Sequence, residues 1–246
     1  MVVVDPRRTR TARADEHLAI RPGTDALLLA ALAQTLFADG LVASPLPHGS
    51  GVDEVAEAVA PYPPETVAAA CGIPAATIRR LAHELAAAPS AAVYGRIGTC
   101  TTAFGTVTSW LVDVLNVLTG NLDRPGGVLF PMAEAGGANT AGPHGSGRGV
   151  RIPGSRRTRV RGLPSALGEL PVAARIPDVL RTPSGTVELA PPVVLADAER
   201  LVDLLAPDSG LVLVGRRDVR SNNSWMHNLP AMVDPLSGNA VLNAIP

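Results

Sequence analysis

The chain has 246 residues, 46% of them hydrophobic and 17% charged, with a formal net charge of -1. That length suits one large domain or two small ones, and a mean hydropathy of +0.22 argues against wholesale disorder. The near-zero charge leaves no bulk field toward nucleic acid or a membrane surface, no apolar run reaches the ~18 residues of a membrane span, and without a signal-peptide pattern the expected compartment is the cytoplasm.

Met1-Val2-Val3-Val4-Asp5 reads as a buried parallel strand. A lone parallel strand lacks a partner, so neighbours N-terminal to it are expected to be missing. Pro6 to Thr11 is polar and turn-like, and His17-Leu18-Ala19-Ile20 is a second short run. Pro22-Gly23 marks a turn. Thr24 is placed as an N-cap and Asp25 in the first turn of a helix over 25–39, with Gly40 as its stop. Residues 43–64, dense in Pro, Gly and Ser, read as a surface excursion. Helices follow near 65–70 and 74–88. Ala91-Ala92-Val93-Tyr94-Gly95 reads as a strand entering a glycine loop, and 103–118 as a long amphipathic helix. From 132 to 172 Gly, Arg, Pro and Ser dominate without a period, an uncommon length for a structureless loop. A short helix over 195–206 precedes a buried strand, Leu211-Val212-Leu213-Val214-Gly215. The expected class is α/β, with parallel-strand cofactor-binding lobes and flanking helices. Its expected divisions are 1–131, an irregular 132–172, and a strand–helix unit 173–246.

Three strand ends deliver polar loops, at 5–11, 94–102 and 215–228. In doubly wound sheets, ligands lie beyond the carboxyl ends of the strands. Asp5 is placed to accept from ribose hydroxyls or a guanine edge, or else to cap the turn at Pro6. Gly23, Thr24 and Asp25 offer helix N–H groups for an anion and a carboxylate for guanine, or else a plain helix cap. The loop 215–228 carries Arg216, Arg217 and Arg220 beside a Ser/Asn run, suited to phosphate and heterocycle edges or to simple solvation. His17, His48, His83 and His144 stand isolated, without metal-ligand spacing. Cys71 reads as a packed small hydrophobe, and Cys100 lacks a local base. Two cysteines cannot hold an iron–sulfur cluster, which takes about four thiolates.

Three phrases carry a resemblance: VVVDPRRTRTARADEHLAIRPGTDALLLAALAQTLFADGLV (2–42), VLTGNLDRPGGVLFP (117–131) and LVLVGRRDVRSNNSWMHNLP (211–230). In type and order the chain resembles the molybdopterin-dependent oxidoreductases, the family of formate dehydrogenases and nitrate reductases. The resemblance implies a bis-molybdopterin guanine dinucleotide (bis-MGD) cofactor holding molybdenum or tungsten. Carried over by position, Asp5, Pro6, Arg7, Arg8 and Thr9 look like the loop against one guanosine, and Gly23, Thr24 and Asp25 like the contact with the second. Tyr94, Gly95 and Gly98 fall where relatives approach the pterin. Gly215, Arg216, Arg217, Ser221, Asn222, Asn223 and Ser224 resemble the loop that holds pterin and pyrophosphate.

The departures from the family pattern are as informative. Full-length relatives place 4Fe-4S cysteines and the metal-ligating Cys, selenocysteine or Ser ahead of the phrases matched here. Neither Cys71 nor Cys100 falls at that ligand's position. The expectation is a piece of such an enzyme, truncated at both ends and inactive alone in two-electron redox chemistry. Its alternatives are a partial cofactor-binding module completed by a complementary polypeptide, or a remnant without function.

Overall fold

The computed structural model describes residues 1–9, 11–13, 15–44, 46, 48–130, 174–206, 210, 212–215 and 242–245. The irregular stretch 132–172 and the loop residues 216–228 lie outside the described residues.

The helix α1 (Asp25–Ala38) is almost pure Ala and Leu. A helix apolar on every side has to be buried on every side. Around it pack α2 (Val52–Val59), α3 (Pro64–Cys71), α4 (Ala75–Ala87) and α6 (Gly105–Leu118). Leu27, Ala30, Ala31, Ala33 and Leu36 are fully enclosed. Each buried leucine contributes roughly 1.5–3 kcal/mol of transfer free energy, and the alanines let neighbouring helices approach. Gly40 ends the helix as expected: at φ 64 it takes the left-handed turn. Its N–H donates to Phe37 O (3.2 Å) and the Leu41 N–H to Leu36 O (2.8 Å), a Schellman closure.

Residues 43–64 are not an excursion. They form β3 (Gly49–Ser50) and α2, whose Val55 and Val59 are spaced to face α1 and are buried with Tyr62. The Pro and Gly residues mark only the turns at either end. The segment 91–95 is not a strand either: among the described residues no strand pairs with it. Two buried asparagines replace one. The Asn116 amide accepts the Val93 N–H and donates to Val93 O, both at 2.9 Å. Asn121 Oδ1 accepts the Ala91 N–H at 3.0 Å. A side-chain amide offers the same donor–acceptor pair as a neighbouring peptide, so the backbone is extended without a ladder. A one-turn helix α5 (Ile97–Cys100) then leads into α6, which begins at Gly105.

β1 (Val2–Val4) pairs in parallel with β2 (Glu16–Leu18), Val3 opposite His17. Its partner is therefore within the chain. It is not buried as expected: Val2 and Val4 are exposed, since β1 packs chiefly against β2 and the 3-10 turn Thr11–Arg13. The pair is tied to α4 by an ion pair between Glu16 and Arg80. β3 pairs in parallel with β4 (Val187–Glu188). β5 (Val212–Gly215) pairs antiparallel with β6 (Leu242–Ile245), so the strands are not all parallel.

The C-terminal helix starts earlier than its periodicity suggests. α7 (Pro192–Glu199) has proline at its first turn, a favoured N1 residue, and tightens into a 3-10 helix over Arg200–Leu205. Leu189, Ala198 and Leu201 join the same core as α1. The Tyr62 hydroxyl donates to Ala198 O at 3.0 Å and Trp110 Nε1 to Leu189 O at 2.7 Å. Residues 187–205 thus share the core built by 18–118.

Two substitutions test this architecture. Tyr62→Phe removes one buried bond to α7 and is expected to cost about 1 kcal/mol in urea unfolding. Asn116→Leu keeps the volume but strips both bonds from Val93, and is expected to cost about 2 kcal/mol. Hydrogen exchange should then accelerate at Val93 and leave the α1 amides protected.

Candidate functional site

Because β1 and β2 run in parallel, their carboxyl ends open on the same side. The 5–9 loop leaves β1 there, and residues 19–25 leave β2 for α1. Asp5 continues the ladder, its N–H donating to Leu18 O at 3.2 Å. Its Oδ1 accepts the Arg7 N–H at 2.7 Å, an Asx turn. The turn-capping role is therefore real and engages one carboxylate oxygen. Pro6, Arg7 and Thr9 are half-buried and Arg8 is exposed. Thr9 Oγ1 accepts the Ala12 N–H at 3.3 Å and caps the 3-10 turn Thr11–Arg13.

The 19–25 loop rests on the end of α3 through Arg21 N–H to Cys71 O at 2.9 Å. Gly23 makes its turn at φ 84, a left-handed conformation that side chains disfavour. Thr24 occupies the N-cap position, but its side chain does not cap. Its hydroxyl donates backwards to Arg21 O at 2.7 Å, tightening the turn and leaving the first N–H groups of α1 to other acceptors. Asp25 is the first helical residue. Burial pushes its carboxyl above the usual range and the Asp5 charge pushes the same way, while its own N–H pulls down. Burial outweighs the favourable end of the helix dipole. Neither Asp5 nor Asp25 is in an ion pair among the described residues. Beside them an open crevice of ≈ 290 Å³ is lined by Pro6, Ala19, Ile20, Arg21, Pro22, Ala69, Ala70 and Gly72. A carboxylate at the end of β1 and another at the start of α1, beside a mostly apolar crevice, suit a flat ring whose edge carries only donors.

The structure brings Asp5–Thr9 together with Gly23–Asp25. Tyr94 and Gly95 lie in the extended segment before α5, and Gly98 lies on α5. Tyr94 is 78% exposed and Ile97 70% exposed. Gly95 packs closely, since a Cβ there would lie 2.8 Å from Thr99 Oγ1, whereas Gly98 faces open space. Gly215 ends β5 opposite Leu242. Arg216, Arg217, Ser221, Asn222, Asn223 and Ser224 lie outside the described residues.

Cys71 is fully buried, which pushes its thiol up, as suits a packing residue. Cys100 is exposed, and hydrogen bonds with the Ser109 and Thr99 hydroxyls hold its thiol below the usual range. No group of three or more His, Cys, Asp or Glu among the described residues is arranged to hold a metal ion. No described helix is long and apolar enough to cross a membrane. One contact escaped the sequence reading: His17 Nε2 lies 2.8 Å from Asp5 O. Its signal is the parallel register, which no local pattern reveals. Asn116 and Asn121 were missed likewise, although Asn121 sits within the quoted TGN phrase.

Comparison with known proteins identifies a family. A family model described as molybdopterin oxidoreductase matches residues 1–200. The nitrate reductase of Synechocystis is 31% identical over 159 residues, covering 63% of this chain and 22% of the relative. Formate dehydrogenase H of Escherichia coli is 34% identical over 138 residues, with 54% and 19% covered. The dimethyl sulfoxide reductase DmsA of Haemophilus influenzae is 33% identical over 155 residues, with 52% and 19% covered. Among solved structures, acetylene hydratase from Pelobacter acetylenicus matches at TM-score 0.50 and 27% identity, covering 52% of this chain and 18% of that one. The chain thus spans about a fifth of the length of such relatives, 19–22% in the three named enzymes. With four-fifths of its residues inside the family match, this chain belongs to the molybdopterin oxidoreductase family.

Proposed function

We propose that this chain supplies part of the cradle for the guanosine ends of bis-molybdopterin guanine dinucleotide, in a two-electron oxidoreductase of the formate dehydrogenase or nitrate reductase type. The observation that carries the reading is the proximity of Asp5, just past the end of β1, to Asp25, the first residue of α1, beside the Pro6–Pro22 crevice. Guanine presents an imino and an amino N–H on one edge, and a carboxylate is an acceptor with two oxygens to meet them. Adenine lacks that double-donor edge. The residues present fit the group, because the two acidic side chains are in no ion pair among the described residues and the crevice beside them is mostly apolar, with Arg21 as its one charged lining residue.

In this reading Asp25 accepts from the guanine edge, and Gly23 and Thr24 shape the turn that aims it. Asp5 and Thr9 hold the 5–9 loop in place. Arg7 and Arg8 carry the charge that meets phosphate. Tyr94, Gly95 and Gly98 approach the pterin, and the Gly215–Ser224 loop holds pterin and pyrophosphate, both assigned by family position. The bound cofactor supplies two-electron redox chemistry at molybdenum or tungsten, and the protein supplies position and electrostatics. We assign the metal ligand and any 4Fe-4S cysteines to polypeptide beyond these 246 residues, in the same product or a complementary chain. Residues 1–131 are then the cofactor-cradling region and 173–246 a unit leading toward further dinucleotide-binding structure. Redox turnover is not expected from this chain alone.

The test is to purify the chain from a cofactor-competent host, release pterin by acid oxidation, and count pterin and GMP per chain. Stoichiometric GMP supports the cradle; a folded chain with neither pterin nor GMP overturns it. Asp25→Asn gives a second, opposed pair of expectations. A carboxyl raised by folding contributes stability below its unfolded range, and that contribution is lost as pH rises through the raised folded range. Without cofactor, the variant is therefore expected to unfold at a higher temperature than wild type at pH 7, with the difference closing toward pH 3. Its affinity for GDP is expected to fall roughly tenfold or more, as for a lost charged hydrogen-bond pair. A variant that loses stability at pH 7 and keeps GDP affinity contradicts both.

A further inference from the structure

The Asp5–Pro6 peptide is the point where β1 leaves the sheet and the candidate guanosine loop begins. A peptide bond to proline has no N–H. Its one polar handle is the Asp5 carbonyl, and His17 grips it from β2 with Nε2 at 2.8 Å. A carbonyl only accepts, so it is Nε2 that carries the proton of this bond. On its other side Asp5 is held by its N–H on Leu18 O and by its Oδ1 on the Arg7 N–H. The ring is half-buried and stands on the strand residue opposite Val3. Rotation of the Asp5–Pro6 plane would move Pro6, a wall of the crevice, and swing the Asp5 carboxylate relative to Asp25.

We infer that His17 is a positioning residue for nucleotide binding: through its Nε2–H bond to the Asp5 carbonyl it fixes the plane that sets Pro6 in the crevice wall and holds the 5–9 loop beside Asp25. This rests on the cradle reading above. His17 itself has no place in that reading, and it touches the loop through a backbone atom rather than the ligand.

The experiment uses the whole 246-residue chain with GDP as probe, by calorimetry, on wild type, His17→Gln and His17→Leu. A Gln amide nitrogen reproduces the donor at the reach of Nε2, whereas Leu keeps bulk and loses the donor. His17→Gln is expected to bind GDP within about twofold of wild type, and His17→Leu roughly three- to tenfold more weakly, the range of one lost hydrogen bond. Thermal unfolding checks that both variants fold. If His17→Leu binds as wild type does, or His17→Gln is as weak as His17→Leu, the positioning role is overturned. If wild type fails to bind GDP, the cradle reading fails and takes the inference with it. Should His17→Leu not fold, imidazole nitrogen-15 spectra of wild type decide instead: a resting Nδ1–H tautomer overturns the assignment, and a resting Nε2–H tautomer whose signal moves on GDP addition supports it.

Discussion

Burial of most of α1 is the constraint from which the other placements follow. A helix so rich in Ala and Leu has little surface to spare for water, so α2, α3, α4 and α6 close around it. That closure fixes the helix axis, and with it the position of Asp25 at the end that emerges from the core. The loop before Asp25 inherits the same rigidity, because Arg21 is hydrogen-bonded to the last residue of α3. A carboxylate at the start of such a helix is held with little freedom to retreat from its neighbours. A binding site placed there has the rigid support that precise recognition requires.

The same rigidity explains why Asp25 sits where its charge is costly. Partial burial and the nearby Asp5 both act against ionisation, and among the described residues no arginine is paired with either. A structural cap would be better served by Thr24, whose hydroxyl is instead turned away to Arg21 O. Local strain of this kind is tolerated when something else is gained. A donor-only edge laid against the two carboxylates would relieve it, converting an unfavourable pair in the free chain into binding energy.

The sequence was legible where local signals and tertiary structure agreed. Gly40 stops α1 because a left-handed residue closes its carbonyls, and the helix itself begins at Asp25 as its capping signals suggested. β1, the Asp5-Pro6 turn and Gly23 were readable for the same reason. What was not legible depends on partners far away in the chain. Val93 is extended because of Asn116, twenty-three residues on. The excursion at 43–64 is tied down by Val187 and Ala198, well over a hundred residues later. His17 could not be linked to Asp5 without the β1–β2 register. In each case a side chain meets a backbone group across the fold, and neither period nor composition encodes that meeting.

Those distant contacts also explain how residues 174–205 come to belong to the same body as 1–130. Three ties bring them back, each using backbone groups that burial would otherwise leave unsatisfied. Asp123, buried at φ 56, accepts the Arg175 and Ile176 N–H groups with one carboxylate oxygen, each at 2.6 Å. β4 returns to pair with β3, where Ser50 Oγ lies 3.0 Å from Thr186 Oγ1. Tyr62 then closes on Ala198 at the end of α7. Gly51 shows how tight this return is: a Cβ there would stand 2.6 Å from the Ala190 Cβ, at a φ of +84. The returning segment packs against α2 and α6 through α7 and against α3 through its 3-10 helix. Its long-range contacts are thus spread over three helices around α1, and none of the three ties uses Asp5 or Asp25.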